Sequence, residues 1–238
     1  MYTSLKKRRN IKNYSRWNIK TGGNFKINNI NKINLDDFEK LGLNKTNPII
    51  CNNTFCVFKE NGDFVLRDSR TDLNHSSFSI IGHKNKFVYI NKIIDFVKNN
   101  NLIKKVCVLG FGLGGLPLEL SQLSQIDKID TVDIDVGMFK IYNSIITNPS
   151  IKINYFVNDG LDFIKNINEK YDIIIDDAFD EKKVDYEYSS FYDKLNVNGF
   201  LIINLHDIST FNTETLKIYF KNIEVIHSKY NYLVICSK

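Results

Sequence analysis

From residue 104 onward the apolar positions fall into short blocks at 106–109, 131–134, 153–156, 171–175 and 200–205, separated by helix-like or loop segments. Apolar runs this short and unbroken predict strands buried on both faces, and strands alternating with helices predict a doubly wound parallel sheet. Two further blocks, 223–227 and 232–236, are joined by a turn at 228–231. A connection that short forces an antiparallel pair, because parallel neighbours need a long crossover. A helix is expected over about 213–220, between the fifth strand and this hairpin. Before the sheet, Phe87, Ile90, Ile93, Ile94, Phe96 and Val97 have helical spacing and predict a helix over 86–99. Earlier still, alternating stretches on either side of Asn61-Gly62 predict a β-hairpin within 48–68, since Asn-Gly supplies the positive φ values of a tight turn.

Residues 1–34 show no sustained apolar period. Charge sharpens that boundary. Nine of the 32 basic residues and none of the 27 acidic ones lie in 1–34, leaving 23 basic against 27 acidic beyond it. The net charge of +5 therefore belongs to an arm, expected to be flexible, and the body is mildly acidic. The chain is expected to divide into a basic arm (1–34), a small N-terminal β lobe (35–85) and a main domain (86–238), which carries the candidate chemistry. With 238 residues and 43% hydrophobic content, one large core is expected rather than two full domains. No apolar run approaches the ~18–20 residues that span a bilayer, so no membrane partner is expected. The basic start is followed by no apolar stretch, so no secretory leader is expected either. Cys51, Cys56, Cys107 and Cys236 form no Cys-x-x-Cys pair. His75 and His83 lack spaced partners, so the expectation is reduced thiols in a cytoplasmic compartment and no metal site. Ala178 is the only alanine among abundant Asn, Ile and Lys, a bias that suggests an AT-rich genome such as that of a large DNA virus or an AT-rich parasite, and a viral product would work in a host cytoplasm.

Candidate chemistry gathers at the ends of the predicted strands. The strand at 106–109 runs into Gly110-Phe-Gly112-Leu113-Gly114-Gly115 and then Pro117 in a helical first turn. Glycines let the backbone approach a ligand, and a helix N-terminus offers free N–H groups. Asp133, 23 residues beyond Gly110, lies where a carboxylate accepts the ribose hydroxyls of an adenosine group, with a strand-end cap as its competing role. Asp159-Gly160 after the third strand suits an adenine amino group, and Asp159 equally suits a helix N-cap. Asp176, Asp177 and Asp180 crowd the end of the fourth strand, where open α/β sheets bind ligands and an amine acceptor would be held. His206 and Asp207 follow the fifth strand, with Asp207 read as a cap, and Asp72 and Asn74 have no spacing that demands a role.

A doubly wound, Rossmann-like sheet with a C-terminal antiparallel hairpin is the class I AdoMet-dependent methyltransferase arrangement. With the glycine loop, Val132-Asp-Ile-Asp135, Asp159-Gly160, Tyr171-Asp172 and Asp177-x-x-Asp180, residues 104–206 resemble the spermidine synthase (polyamine aminopropyltransferase) family. The resemblance implies that Asp177 activates the attacking amine and Asp180 helps bind it. It also implies that two copies can pair. The synthases carry Gly-Gly-Gly-Asp-Gly-Gly in the loop, and that Asp grips the aminopropyl ammonium of decarboxylated AdoMet. Here Leu113 stands in its place. The family's Gln and Tyr-His acceptor residues are not found in 67–80. A leucine neither repels a carboxylate nor holds an ammonium, which favours S-adenosyl-L-methionine and methyl transfer to an amine of a protein or small polyamine. Aminopropyl transfer from decarboxylated S-adenosylmethionine is the alternative. A non-catalytic module acting through the basic arm, with Tyr2, Tyr14, Trp17 and Phe25 stacking on RNA, DNA or a ribosome, is the second alternative.

Overall fold

The computed structural model describes residues 50–51, 55–60, 63–68, 77–81, 87–146, 148–178, 188–209 and 211–238. The basic segment 1–34, the turn 61–62, Asp72, Asn74, His75, His83 and Asp180 lie outside these residues. Strands β1 (Ile50–Cys51), β2 (Phe55–Glu60), β3 (Asp63–Asp68) and β4 (Ser77–Ile81) form a four-stranded antiparallel sheet in sequence order. The β2–β3 ladder sets Glu60 opposite Asp63, as the Asn-Gly signal between them predicts. Cys56 is disulfide-bonded, which corrects the expectation of four reduced thiols. The register sets Cys51 opposite Cys56, a closeness that spacing alone did not reveal. Cys107 and Cys236 are free and buried.

The main sheet follows the predicted blocks closely. Helix α1 (Val88–Asn99) turns Ile90, Ile93, Ile94 and Val97 inward. Then come β5 (Lys105–Leu109), α2 (Gly115–Ser121), β6 (Lys128–Asp133), α3 (Val136–Ile145), β7 (Ile153–Val157) and α4 (Gly160–Asn166). The chain ends with β8 (Tyr171–Asp176), α5 (Tyr188–Asp193), β9 (Leu195–Leu205), α6 (Glu214–Lys217), β10 (Asn222–Ser228) and β11 (Asn231–Ser237). The helix expected over 213–220 shrinks to α6, because only Leu216 and Phe220 are buried there and Ile218 faces out.

The strand order is β10-β11-β9-β8-β5-β6-β7. Ladders β5–β6, β6–β7, β5–β8 and β8–β9 are parallel, while β11 is antiparallel to both β9 and β10. That is the α/β class expected, a mixed Rossmann-like sheet. In the sheet, β6 and β7 lie on one side of β5, while β8 and β9, which follow in the chain, lie on the other, so the crevice at the carboxyl end of β5 is the switch point where such sheets bind ligands. One core packs α1 and α2 onto one face through Ile93, Val97, Val106, Val108, Leu120 and Ile175. A second packs the opposite face through Cys107, Ile174, Phe163, Phe191, Leu201 and Val234. At the other end of the strands, Tyr171 donates its hydroxyl to buried Asp130 at 2.8 Å. Asp172 accepts from the Lys104 and Lys105 backbone N–H groups at 2.9 and 2.8 Å. Tyr171-Asp172 thus pins strand starts, away from the site.

Candidate functional site

Hydrogen bonds continue past the strand ends and align the site. Gly110 N–H donates to Val132 O at 2.8 Å, Asn158 N–H to Asp133 O at 3.1 Å, and Asp177 N–H to Leu109 O at 2.8 Å. The glycine loop, the end of β6, the loop after β7 and the loop after β8 therefore lie side by side. Gly110, Gly112 and Gly114 all have positive φ. At Gly110 an added Cβ would stand 2.7 Å from both Cα and N of Ala178. The glycine loop and the acidic loop thus touch backbone to backbone.

Asp133, expected on the donor side, is bonded to the glycine loop. Its Oδ2 accepts from Phe111 N–H at 2.8 Å and from Gly112 N–H at 3.4 Å, and its Oδ1 accepts from Asp135 N–H at 2.8 Å. Burial pushes its carboxyl up, against the pull of those backbone bonds. Its neighbour Ile134, just past the end of β6, is 53% exposed, an apolar surface that the sequence reading did not single out. Asp135 caps α3 through Gly137 N–H. Asp159 caps α4, its Oδ1 accepting from Leu161 and Asp162 N–H at 2.9 and 3.0 Å. The capping role expected as an alternative is thus present. Gly160 is the first residue of α4. A strand-end carboxylate, a flanking apolar residue and a glycine turn fit an adenosine-bearing donor. Asp133→Ala is expected to weaken donor binding about ten- to a hundredfold, the worth of hydrogen bonds to a charged group at roughly 1.5–3 kcal/mol. Calorimetric titration checks this, and an unchanged dissociation constant removes Asp133 from the site.

The glycine loop's two non-glycine side chains turn away from the crevice. Leu113 is fully buried with Val57, Leu66, Ile81, Met138 and Tyr142. Phe111 packs on Phe139, Tyr142 and Tyr155 at centroid distances of 4.7, 5.2 and 5.5 Å. Burial pushes the Tyr142 hydroxyl up to about 12. This aromatic bed joins the loop to the four-stranded sheet.

Asp177, expected on the acceptor side, is held by two side chains. Its Oδ2 accepts from the Tyr89 hydroxyl at 3.1 Å, and its Oδ1 accepts from Asn204 Nδ2 at 2.7 Å. Burial, then the Asp177 charge, hold the Tyr89 hydroxyl well above its usual range, so it stays a donor. Asp176 beside it is buried. Asp207 is exposed and accepts from Ser209 N–H and hydroxyl at 2.8 and 2.9 Å, which hold its carboxyl low. It closes a turn, not a helix.

Residues 86–236 match the spermine/spermidine synthase domain. The chain belongs to the spermine/spermidine synthase family. A polyamine aminopropyltransferase of Clostridium beijerinckii is 32% identical over 140 residues, 54% of this chain and 49% of that protein. One of Clostridioides difficile is 38% identical over 108 residues, 42% and 38% of the two chains. The chain spans about half the length, or less, of these curated relatives. Among solved structures, a probable spermidine synthase from Corynebacterium glutamicum superposes with a TM-score of 0.63 at 13% identity, over 81% of this chain and 79% of the other. At that identity the likeness shows the fold. For a spermidine synthase family member, the acid of the Asp-x-x-Asp pair that the structure describes, Asp177, stands beside the glycine loop. Tyr89 and Asn204, which the sequence reading missed, are its partners. Tyr89 lies at the start of α1, beyond residues 67–80.

Proposed function

We propose that the protein transfers an aminopropyl group from decarboxylated AdoMet to a primary amine of a diamine or polyamine. The amine nitrogen attacks the aminopropyl carbon bonded to sulfur, and the carbon–sulfur bond breaks. Its electron pair returns to sulfur, leaving the neutral thioether methylthioadenosine. The nitrogen's proton passes to Asp177. An amine of pKa ~10.4 costs about 4.6 kcal/mol to deprotonate at pH 7, so a carboxylate at the point of attack matters. The observation that carries this reading is Asp177, held by Tyr89 and Asn204 where the acidic loop touches the glycine loop.

The sequence favours methyl transfer on the strength of Leu113 and free loop N–H groups. Two observations weaken that argument. Leu113 is buried in the aromatic bed, and the Phe111 and Gly112 N–H groups already donate to Asp133, which leaves them engaged when a carboxylate tail arrives. The names of the curated relatives also point to aminopropyl transfer. Calorimetry with the two donors, alongside product analysis with putrescine, decides between them. The expectation is at least tenfold tighter binding of decarboxylated AdoMet, about 1.4 kcal/mol, with spermidine formed. Tighter binding of AdoMet with a methylated amine as product overturns the proposal.

A further inference from the structure

The hydrogen bond that Asn204 gives Asp177 is itself held from behind. Asn204 lies near the end of β9 and is buried, and its Oδ1 accepts from Asn231 Nδ2 at 3.0 Å. Asn231 is the first residue of β11, buried, immediately after the two-residue turn Lys229–Tyr230, in which Lys229 has φ 55°. The β9–β11 ladder fixes this approach by pairing Leu233 with Asn204 and Tyr232 with Leu205. An amide side chain has a donor end and an acceptor end, and either can be turned toward a neighbour. Turned the wrong way, Asn204 would set its carbonyl oxygen against the carboxylate of Asp177.

We propose that Asn231 is a positioning residue: its amide engages the Asn204 carbonyl, so that the Asn204 NH2 faces Asp177 and holds the carboxylate in place as a proton acceptor. The terminal hairpin thereby reaches the reacting centre without touching substrate. The inference rests on Asp177 being the acceptor-side base. Among the described residues, the groups around it include Tyr89 from α1, Asp176 from β8 and, beyond Asn204, His206, whose Nδ1 lies 3.4 Å from Asn231 Nδ2.

Asn231→Asp replaces the donor by an acceptor of the same shape and draws the Asn204 NH2 away from Asp177. A carboxylate that loses a hydrogen bond to its charged form titrates higher. A carboxyl-carbon NMR titration of the full-length protein is expected to move the Asp177 midpoint up by about one pH unit. His206→Asp brings a similar charge nearby without replacing the Asn231–Asn204 bond, and it is expected to move the midpoint by less than half as much. In the unaltered protein the Asn204 side-chain amide protons are expected to shift with the Asp177 midpoint, which tests the relay even if Asn231→Asp fails to fold. An unmoved midpoint in a folded Asn231→Asp, an equal shift in His206→Asp, or Asn204 amide protons indifferent to that titration overturns the relay. Turnover of Asp177→Asn with putrescine and decarboxylated AdoMet is measured separately. Normal turnover there overturns the base reading and the relay with it, whereas lost turnover with an unmoved midpoint overturns the relay alone.

Discussion

Asp177→Asn is expected to lower turnover by roughly 10²–10⁴ while leaving donor affinity within about twofold, the signature of a lost general base. The amide keeps the size of the carboxylate but has no lone pair basic enough to take an ammonium proton. Neither described hydrogen-bond partner takes over. Burial alone keeps the proton on Tyr89 once the carboxylate is gone, and Asn204 contributes only an amide. Donor affinity should survive because the donor-side carboxylate, Asp133, bonds to the glycine loop and to Asp135, not to Asp177. Single-turnover kinetics with separately measured donor binding reads the two effects apart. Turnover equal to the unaltered protein would make Asp177 a passive part of an acidic loop. A loss of donor affinity would place it on the other side of the crevice.

The strands were legible in the sequence because β5 and β8 are covered on both faces, so nearly every position had to be apolar. Val106, Cys107, Val108, Ile173, Ile174 and Ile175 have no exposed surface. The terminal hairpin was legible for a different reason, a connection too short for anything but an antiparallel return. The polar partners of Asp177 were not legible. Tyr89, Asp177 and Asn204 come from three elements separated by 88 and 27 positions, and only strand order and register bring them together. Leu113 shows the limit of motif reading. Its place in the loop was plain from the glycine spacing. Its direction was not, because the positive φ values at Gly110, Gly112 and Gly114 lead the backbone along a path on which both Phe111 and Leu113 pack into the aromatic bed. Likewise Asp159 reads both as ligand and as cap, two compatible roles, and the structure shows the cap, with Oδ1 accepting from two helix N–H groups.

Gly110→Ala is expected to destabilise the protein by roughly 2–6 kcal/mol, the sum of two costs of about 1–3 kcal/mol each. The first is backbone strain, since φ at Gly110 is +87°, where a side chain is disfavoured. The second is collision. The new Cβ would stand 2.7 Å from Ala178 Cα and N and 2.8 Å from the Asp177 carbonyl carbon, and backbone cannot swing aside as a side-chain tip can. Relief requires moving the loop that carries Asp177 away from the glycine turn, so whatever protein still folds should also lose turnover. Gly160→Ala is the control, because its Cβ would meet only the Leu109 side chain at an ordinary 3.4 Å. Urea unfolding of both variants measures the contrast, with Gly160→Ala expected within about 1 kcal/mol of the parent, as for a substitution without collision or strain. A Gly110→Ala protein as stable and active as the parent would mean that the two loops do not touch, and the site would lose the joint that brings donor and acceptor together.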